Sequence, residues 1–239
     1  EKWYLKAAEQ NHLKAWKNLG YLYLKQQKYK EAEKWYLKAA ENKDSDSQNN
    51  LGIIYKKTGD FNEAEKWYLE AITQGNLAAQ YNLGILYMNG LGGVEHDQFK
   101  AHDLFMEAAT REVVPAMYET ALMLERGLGC LQNFSEAAFW YEEGAKRAHL
   151  ASFNNLGVLY KEGHGVHKDE ARCFICFKRA ADGGLAEGLY NLGLLYDQGF
   201  GCAQDHDMAL DLCRKAAYKG HAKAQEIIKG LQEEGKIVF

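Results

Sequence analysis

The stretch Ala15-Trp16-Lys17-Asn18-Leu19-Gly20-Tyr21-Leu22-Tyr23 decides the fold, because the chain makes it again and again. It returns as SQNNLGIIY (47–55), AQYNLGILY (79–87), SFNNLGVLY (152–160) and GLYNLGLLY (188–196). A weaker copy, AMYETALML (116–124), lies between the third and fourth of these. Aligned on the glycine, the register is Gly20, Gly52, Gly84, Ala121, Gly157 and Gly193. Successive positions are 32 to 37 residues apart (52 − 20 and 121 − 84 at the extremes). A period of that size is the signature of a repeat architecture in which each unit buries its apolar face on its neighbours.

A second block follows each copy: KEAEKWYLKAA (30–40), NEAEKWYLEAI (62–72), FKAHDLFMEAA (99–109), SEAAFWYEEGA (135–145), ARCFICFKRAA (171–181) and DMALDLCRKAA (207–217). In the first block, Trp16, Leu19, Gly20 and Tyr23 share one helical stripe. In the second, Ala32, Trp35, Tyr36, Ala39 and Ala40 do. Each repeat therefore reads as two antiparallel helices, A then B. The expected fold is all-α, a right-handed solenoid of about fourteen helices and a single repeat domain over residues 1–239. Its parts are a partial repeat (1–10), full repeats at 13–44, 45–76, 77–113, 114–149, 150–185 and 186–221, and a terminal half repeat (222–236). The opening residues EKWYLKAA match the middle of a repeat, so the chain is expected to be a fragment.

Glycine inside a helix costs about 1 kcal/mol relative to alanine, so its recurrence calls for a packing reason. The small residue five positions earlier (Ala15, Ser47, Ala79, Ala116, Ser152, Gly188, Ala224) points the same way, to a close approach of helix B. Tyr23, Tyr36, Tyr55, Tyr87, Tyr160 and Phe177 are expected to fill the wider gaps between hairpins. The later A–B connections carry Gly-x-Gly, suited to a left-handed turn after helix A. Asp207 or a nearby polar residue is expected to start the last B helix. Gly75, Gly183, Gly184 and Gly220 sit where B helices should stop. The apolar Ile237-Val238-Phe239 could tuck into a terminal gap or contact a partner.

Composition bounds the function. The 33 acidic and 29 basic residues nearly cancel, net −4, and no basic block tracks phosphates, so nucleic acid is not the expected partner. No run is apolar and long enough for a membrane span. Five cysteines make no paired ladder.

The later repeats resemble Sel-one-like repeats, with small-x-x-x-Leu-Gly-x-x-Tyr, then Gly-x-Gly-Val, then the Lys-Ala…Ala-Ala block; residues 149–181 carry it almost whole. The first two full repeats are more similar to tetratricopeptide repeats, with Trp16, Leu19, Gly20, Tyr23, Ala32, Tyr36 and Ala39 filling that frame. The resemblance covers essentially the whole chain and implies an adaptor or scaffold. In related solenoids the helix-A arc opposite the packing stripe lines the concave surface. Secreted relatives tend to bridge A to B with two cysteines per repeat. That pairing is missing here, which favours a reducing, cytoplasmic setting. Some relatives have been associated with β-lactam binding. The Ser-x-x-Lys motif such chemistry needs is absent at Ser45, Ser47, Ser135 and Ser152.

On helix A, that opposite arc carries the positions of Lys17, Asn18, Tyr21 and Lys25. Read across repeats, one position is Asn18, Asn50, Asn82, Glu119, Asn155 and Asn191. Its neighbour includes Tyr81, Tyr118 and Tyr190, and one turn on lies Arg126. Two roles fit the asparagines: contacts to an extended peptide backbone, since an amide donates and accepts at once, or buttressing of the neighbouring helix. The tyrosines are not required by the repeat frame, which favours contact with a partner. The expected binding residues are Asn18, Asn50, Asn82, Asn155, Asn191, Tyr81, Tyr118, Tyr190 and Arg126. Glu119, and Thr120-Ala121 in place of Leu-Gly, set the fourth repeat apart.

Catalytic signals are weak. Cys173-Phe-Ile-Cys176 falls mid-helix, where cysteines are packing residues rather than a redox pair. Cys130 and Cys202 share a loop position that Val166 also fills. His164, His167 and Asp169, with His96, His102 and His206 in equivalent regions, match no metal-ligand spacing. The expected function is a non-enzymatic protein-interaction scaffold with no cofactor. The alternative is a metal- or small-ligand-binding repeat protein with weak hydrolase activity, and self-association through the open repeat ends is a third possibility.

Overall fold

The structure, a computed structural model, describes residues 2–9, 12–90, 93–94 and 96–234. The segment Ile237-Val238-Phe239 lies outside the described residues. Among the described residues there are fourteen α-helices and no strand. The first helix, α1 (Lys2–Glu9), is the B half of a partial repeat. Six A–B hairpins follow: α2 (Leu13–Lys25) with α3 (Tyr29–Ala40), α4 (Ser45–Thr58) with α5 (Phe61–Thr73), α6 (Leu77–Asn89) with α7 (Gln98–Thr110), α8 (Val114–Arg126) with α9 (Phe134–Lys146), α10 (Leu150–Glu162) with α11 (Glu170–Asp182), and α12 (Ala186–Gln198) with α13 (His206–Tyr218). The last, α14 (Ala222–Glu233), is a lone A helix.

Contacts divide the chain into two compact units: Glu1–Ala116 with Leu128–Cys130, and Met117–Gly127 with Leu131–Phe239. In the first unit α1 to α7 each pack on the next helix, as do α9 to α14 in the second, and A helices also touch the following A helix, α4 on α6 in the first unit and α10 on α12 in the second. That nearest-neighbour packing is the solenoid arrangement.

Most helix starts are written locally, although α2, α3 and α12 begin without a side-chain cap. A helices α4 and α6 begin at Asp44 and Asn76, whose side chains accept the amide three residues on. In α10 and α14, His149 and His221 do the same through Nδ1. Burial lowers the His149 pKa, which keeps that nitrogen an acceptor. B helices begin at Asp60, Asp97, Asn133, Asp169 and Asp205. The last B helix thus starts at Asp205, two residues before Asp207, because the carboxylate must precede the first turn to reach its free amide. B helices α5 and α13 stop before Gly75 and Gly220, and Gly184 follows α11; all three glycines are left-handed. In the loops, Gly201 (φ +70°) lies so near α11 that a Cβ would sit 2.5 Å from the Glu170 carbonyl oxygen.

Four of the helix-A glycines, Gly20, Gly52, Gly84 and Gly157, seat an aromatic ring of their own hairpin. A Cβ on Gly20 would fall 2.8 Å from the Tyr36 ring, and one on Gly157 2.8 Å from Phe177. Gly52 faces Tyr68 and Gly84 faces Phe105 in the same way. These rings are wholly buried. Tyr36 and Phe177 therefore do not fill gaps between hairpins; they fill the space that the missing side chain leaves inside one. Tyr55 and Tyr87 sit at the hairpin's edge, each donating its hydroxyl at 2.6 Å to a carboxylate of the preceding hairpin, Glu33 and Glu65.

Candidate functional site

The columns picked from the sequence lie on the A helices, at the seam between one A helix and the next. Asn82 Nδ2 donates to Asn49 Oδ1 at 2.9 Å, and Asn191 Nδ2 to Asn154 Oδ1 at 2.8 Å. Asn155 Nδ2 donates to the Tyr141 hydroxyl at 3.0 Å. Asn82, Asn155 and Asn191 are thus half-buried and joined to the scaffold, Asn50 is half-buried, and Asn18 is exposed. The arc of Lys17 and Asn18 is shared with the neighbouring A helix: Asn49 and Asn154, in the Lys17 column, are buried, while Asn18 stays exposed.

The same column reaches the start of the next A helix. Lys17 Nζ binds Asp44 at 2.8 Å and Asp46 at 3.0 Å, both at the N-terminus of α4. Burial works to raise the Asp44 carboxyl, but the bonds from Lys17 and Ser47 outweigh it and hold it low. Tyr118 packs on the capping His149 (5.1 Å between ring centres) and on Tyr141 (5.9 Å). Tyr190 stacks on the capping His221 at 4.3 Å. Tyr81 lies 5.7 Å from Phe105. Each tyrosine is half-buried, so one edge is fixed by the scaffold while another meets solvent. Arg126 is exposed. Beside it, burial raises the Glu119 carboxyl, with Arg126 pulling the other way.

Beyond the seam lies the column of Tyr21, which the sequence reading placed on the arc without following it through the repeats. The residue after each glycine is Tyr21, Ile53 and Ile85 in the first unit, and Leu122, Val158 and Leu194 in the second. Tyr21 is exposed and the other five are half-buried. Apolar residues every repeat, open to solvent and bordered by amides and phenols, are what a docked chain can cover. The signal was present in the aligned copies as an apolar position outside the packing stripe.

The chemical candidates have structural work. Burial pushes the Cys173 thiol up to about 11 and that of Cys176 to about 12, so neither is a thiolate nucleophile near neutral pH. Cys130 and Cys202 are half-buried. His164 pairs with Glu162 at 3.0 Å, His206 with Asp197 at 2.8 Å, and Asp169 caps α11. Among the described residues, no group of three or more His, Cys, Asp and Glu side chains is placed to hold a metal ion. No helix among them is long and apolar enough to cross a membrane.

Comparison with known proteins agrees with this architecture. The Sel1 repeat family profile matches residues 1–12, 77–112, 114–149, 154–185 and 186–221, and a tetratricopeptide repeat profile matches 11–74. Among solved structures, c5321, a protective antigen of uropathogenic Escherichia coli displaying an SLR fold, is 29% identical with a TM-score of 0.84. The match covers 98% of this chain but 52% of that one, so the chain spans about half the length of that relative. A Sel1 repeat protein from Oxalobacter formigenes is 28% identical with a TM-score of 0.82, over 90% of this chain and 87% of that one. PilF of Pseudomonas aeruginosa, at 19% identity and a TM-score of 0.67, shares the fold. No curated protein sequence matches the chain.

Proposed function

The chain belongs to the Sel1 repeat family, and from that premise we propose that it is a non-enzymatic scaffold holding an extended or helical segment of a partner protein on its A-helix face. Sel1 and tetratricopeptide repeats generally mediate protein–protein interaction. The observation that carries the finer reading is the half-buried apolar column, Ile53 and Ile85 in one unit, Leu122, Val158 and Leu194 in the other. Tyr81, Tyr118 and Tyr190 flank it as stiff contact surfaces with polar tips. Asn18, Asn50, Asn82, Asn155 and Asn191 supply amides along the same line, with Arg126 as a cationic contact at its edge.

Site-specific photo-crosslinking tests this. A photoreactive residue at Ile85 or Val158 is expected to capture the same partner, while one at the exposed B-helix residues Leu69 or Phe139 captures none. In the triple variant Tyr81→Ala, Tyr118→Ala, Tyr190→Ala, the adduct is expected to fall while helical content measured by circular dichroism stays. Equal adducts from the B-helix positions would place binding on another face.

A further inference from the structure

The B-helix ring column has one break. Tyr36, Tyr68, Phe105, Tyr141 and Phe177 occupy it in five hairpins; in the sixth it is Cys213. A Cβ on Gly193 would meet no ring; its nearest neighbours would be the Ala209 carbonyl oxygen at 3.2 Å, Leu212 Cβ at 3.4 Å and the Cys213 backbone nitrogen at 3.8 Å. A cavity of about 300 Å³ opens there, among Tyr190, Gly193, Leu194, Leu210, Cys213 and Ile227. Its lining is mainly apolar, and the half-buried Leu194 carries the A-face column into it.

The hairpin two repeats earlier, in the same unit, records what this environment holds when filled. Counterpart positions there are Tyr118 for Tyr190, His149 for His221, Glu125 for Asp197 and Ala121 for Gly193. In both places the tyrosine packs on the capping histidine. Between them, the earlier hairpin seats Tyr141, wholly buried, its hydroxyl donated to Glu125 Oε2 at 2.6 Å. At the cavity the carboxylate is kept, as Asp197 on the wall, and Gly193 leaves more room than Ala121. The phenol is missing, and His206, also on the wall, holds Asp197 Oδ1 at 2.8 Å, which leaves Oδ2 as the acceptor.

We propose that this cavity is a docking pocket for one tyrosine side chain of a partner segment, its ring set against Gly193 and Cys213 and its hydroxyl donated to Asp197. The proposal deepens the scaffold reading and rests on it. It assigns the site where the partner is anchored, because a single aromatic residue in a shaped pocket dominates the affinity of such surfaces.

The pocket can be tested without a partner, so its failure and that of the scaffold reading are distinguishable. Titrating the full chain with p-cresol, the tyrosine side-chain analogue, should shift the amide resonances of Gly193, Leu194, Cys213 and Ile227. Toluene should bind at least about tenfold more weakly, the worth of a hydrogen bond to a charged acceptor. Asp197→Ala, which removes the acceptor, should erase that preference. In the unmodified chain p-cresol should also slow alkylation of Cys213 by iodoacetamide, a readout that needs no variant. Cys213→Tyr supplies the ring internally and should abolish p-cresol binding. The proposal is overturned by absent or scattered shifts, by unprotected Cys213, or by p-cresol binding that persists in a folded Cys213→Tyr chain. Equal affinity for toluene would exclude the tyrosine hydroxyl. Binding seen only after removal of residues 235–239 would make the occupant the chain's own Ile237–Phe239, and binding seen only on dilution would make it a second copy; either overturns the partner assignment.

Discussion

A single hydrogen atom in place of a methyl group organises four of the six hairpins. The helix-A glycine gives up helix propensity so that a B-helix ring can lie against bare backbone. Gly52→Ala would push its Cβ into the Tyr68 ring and is expected to cost about 1–3 kcal/mol, the usual range for overpacking. Gly230→Ala in α14 meets nothing within 4 Å and is expected to stabilise by about 1 kcal/mol. Chemical denaturation of the two variants checks the contrast; a cost at Gly230 or a gain at Gly52 would refute it. The recurrence of the glycine was legible in the sequence. Its partner ring was not, since periodicity names the stripe facing helix A and not which member lands on the glycine.

At the scale of the helix, the asparagine column shows where helical-wheel arithmetic stops. One hundred degrees per residue places Asn18 away from the intra-hairpin stripe, but an A helix in a stack has a second neighbour. The Asn191–Asn154 bond belongs to that second contact. Asn191→Ala leaves the buried Asn154 carbonyl oxygen without that donor, and a loss of about 1–3 kcal/mol is expected. An unchanged melting temperature would reduce the column to a surface feature. Glu119 stands in this column and gives a pH signature. Burial raises its pKa in the folded state, so the folded chain holds the proton to higher pH than the unfolded one, and stability falls as pH rises through that range. Glu119→Gln is therefore expected to melt higher at neutral pH. The advantage should close below the ordinary glutamate pKa, where both states are protonated. Equal melting at neutral pH would mean that Arg126 offsets the burial in full.

For the whole molecule, nearest-neighbour packing makes stability local. In the first unit, the Gly52→Ala lesion should quicken amide exchange in α4 and α5 well before α7, and uniform loss of protection across that unit would contradict the solenoid description. Period, helix content and the order A then B were all fixed in the primary structure, because each is a short-range regularity repeated six times. The helix caps were half legible: the Asp205 column sits two residues from the expected start, within the reach of ordinary boundary error. Three matters needed the folded chain. The rings lie inside the hairpins, the amides lie in the seams, and a cavity stands at Gly193 where Cys213 interrupts the ring column. The break itself is plain in the aligned blocks. Whether neighbouring side chains closed over it or left it open depended on packing between helices distant in sequence, and local pattern carries no record of that.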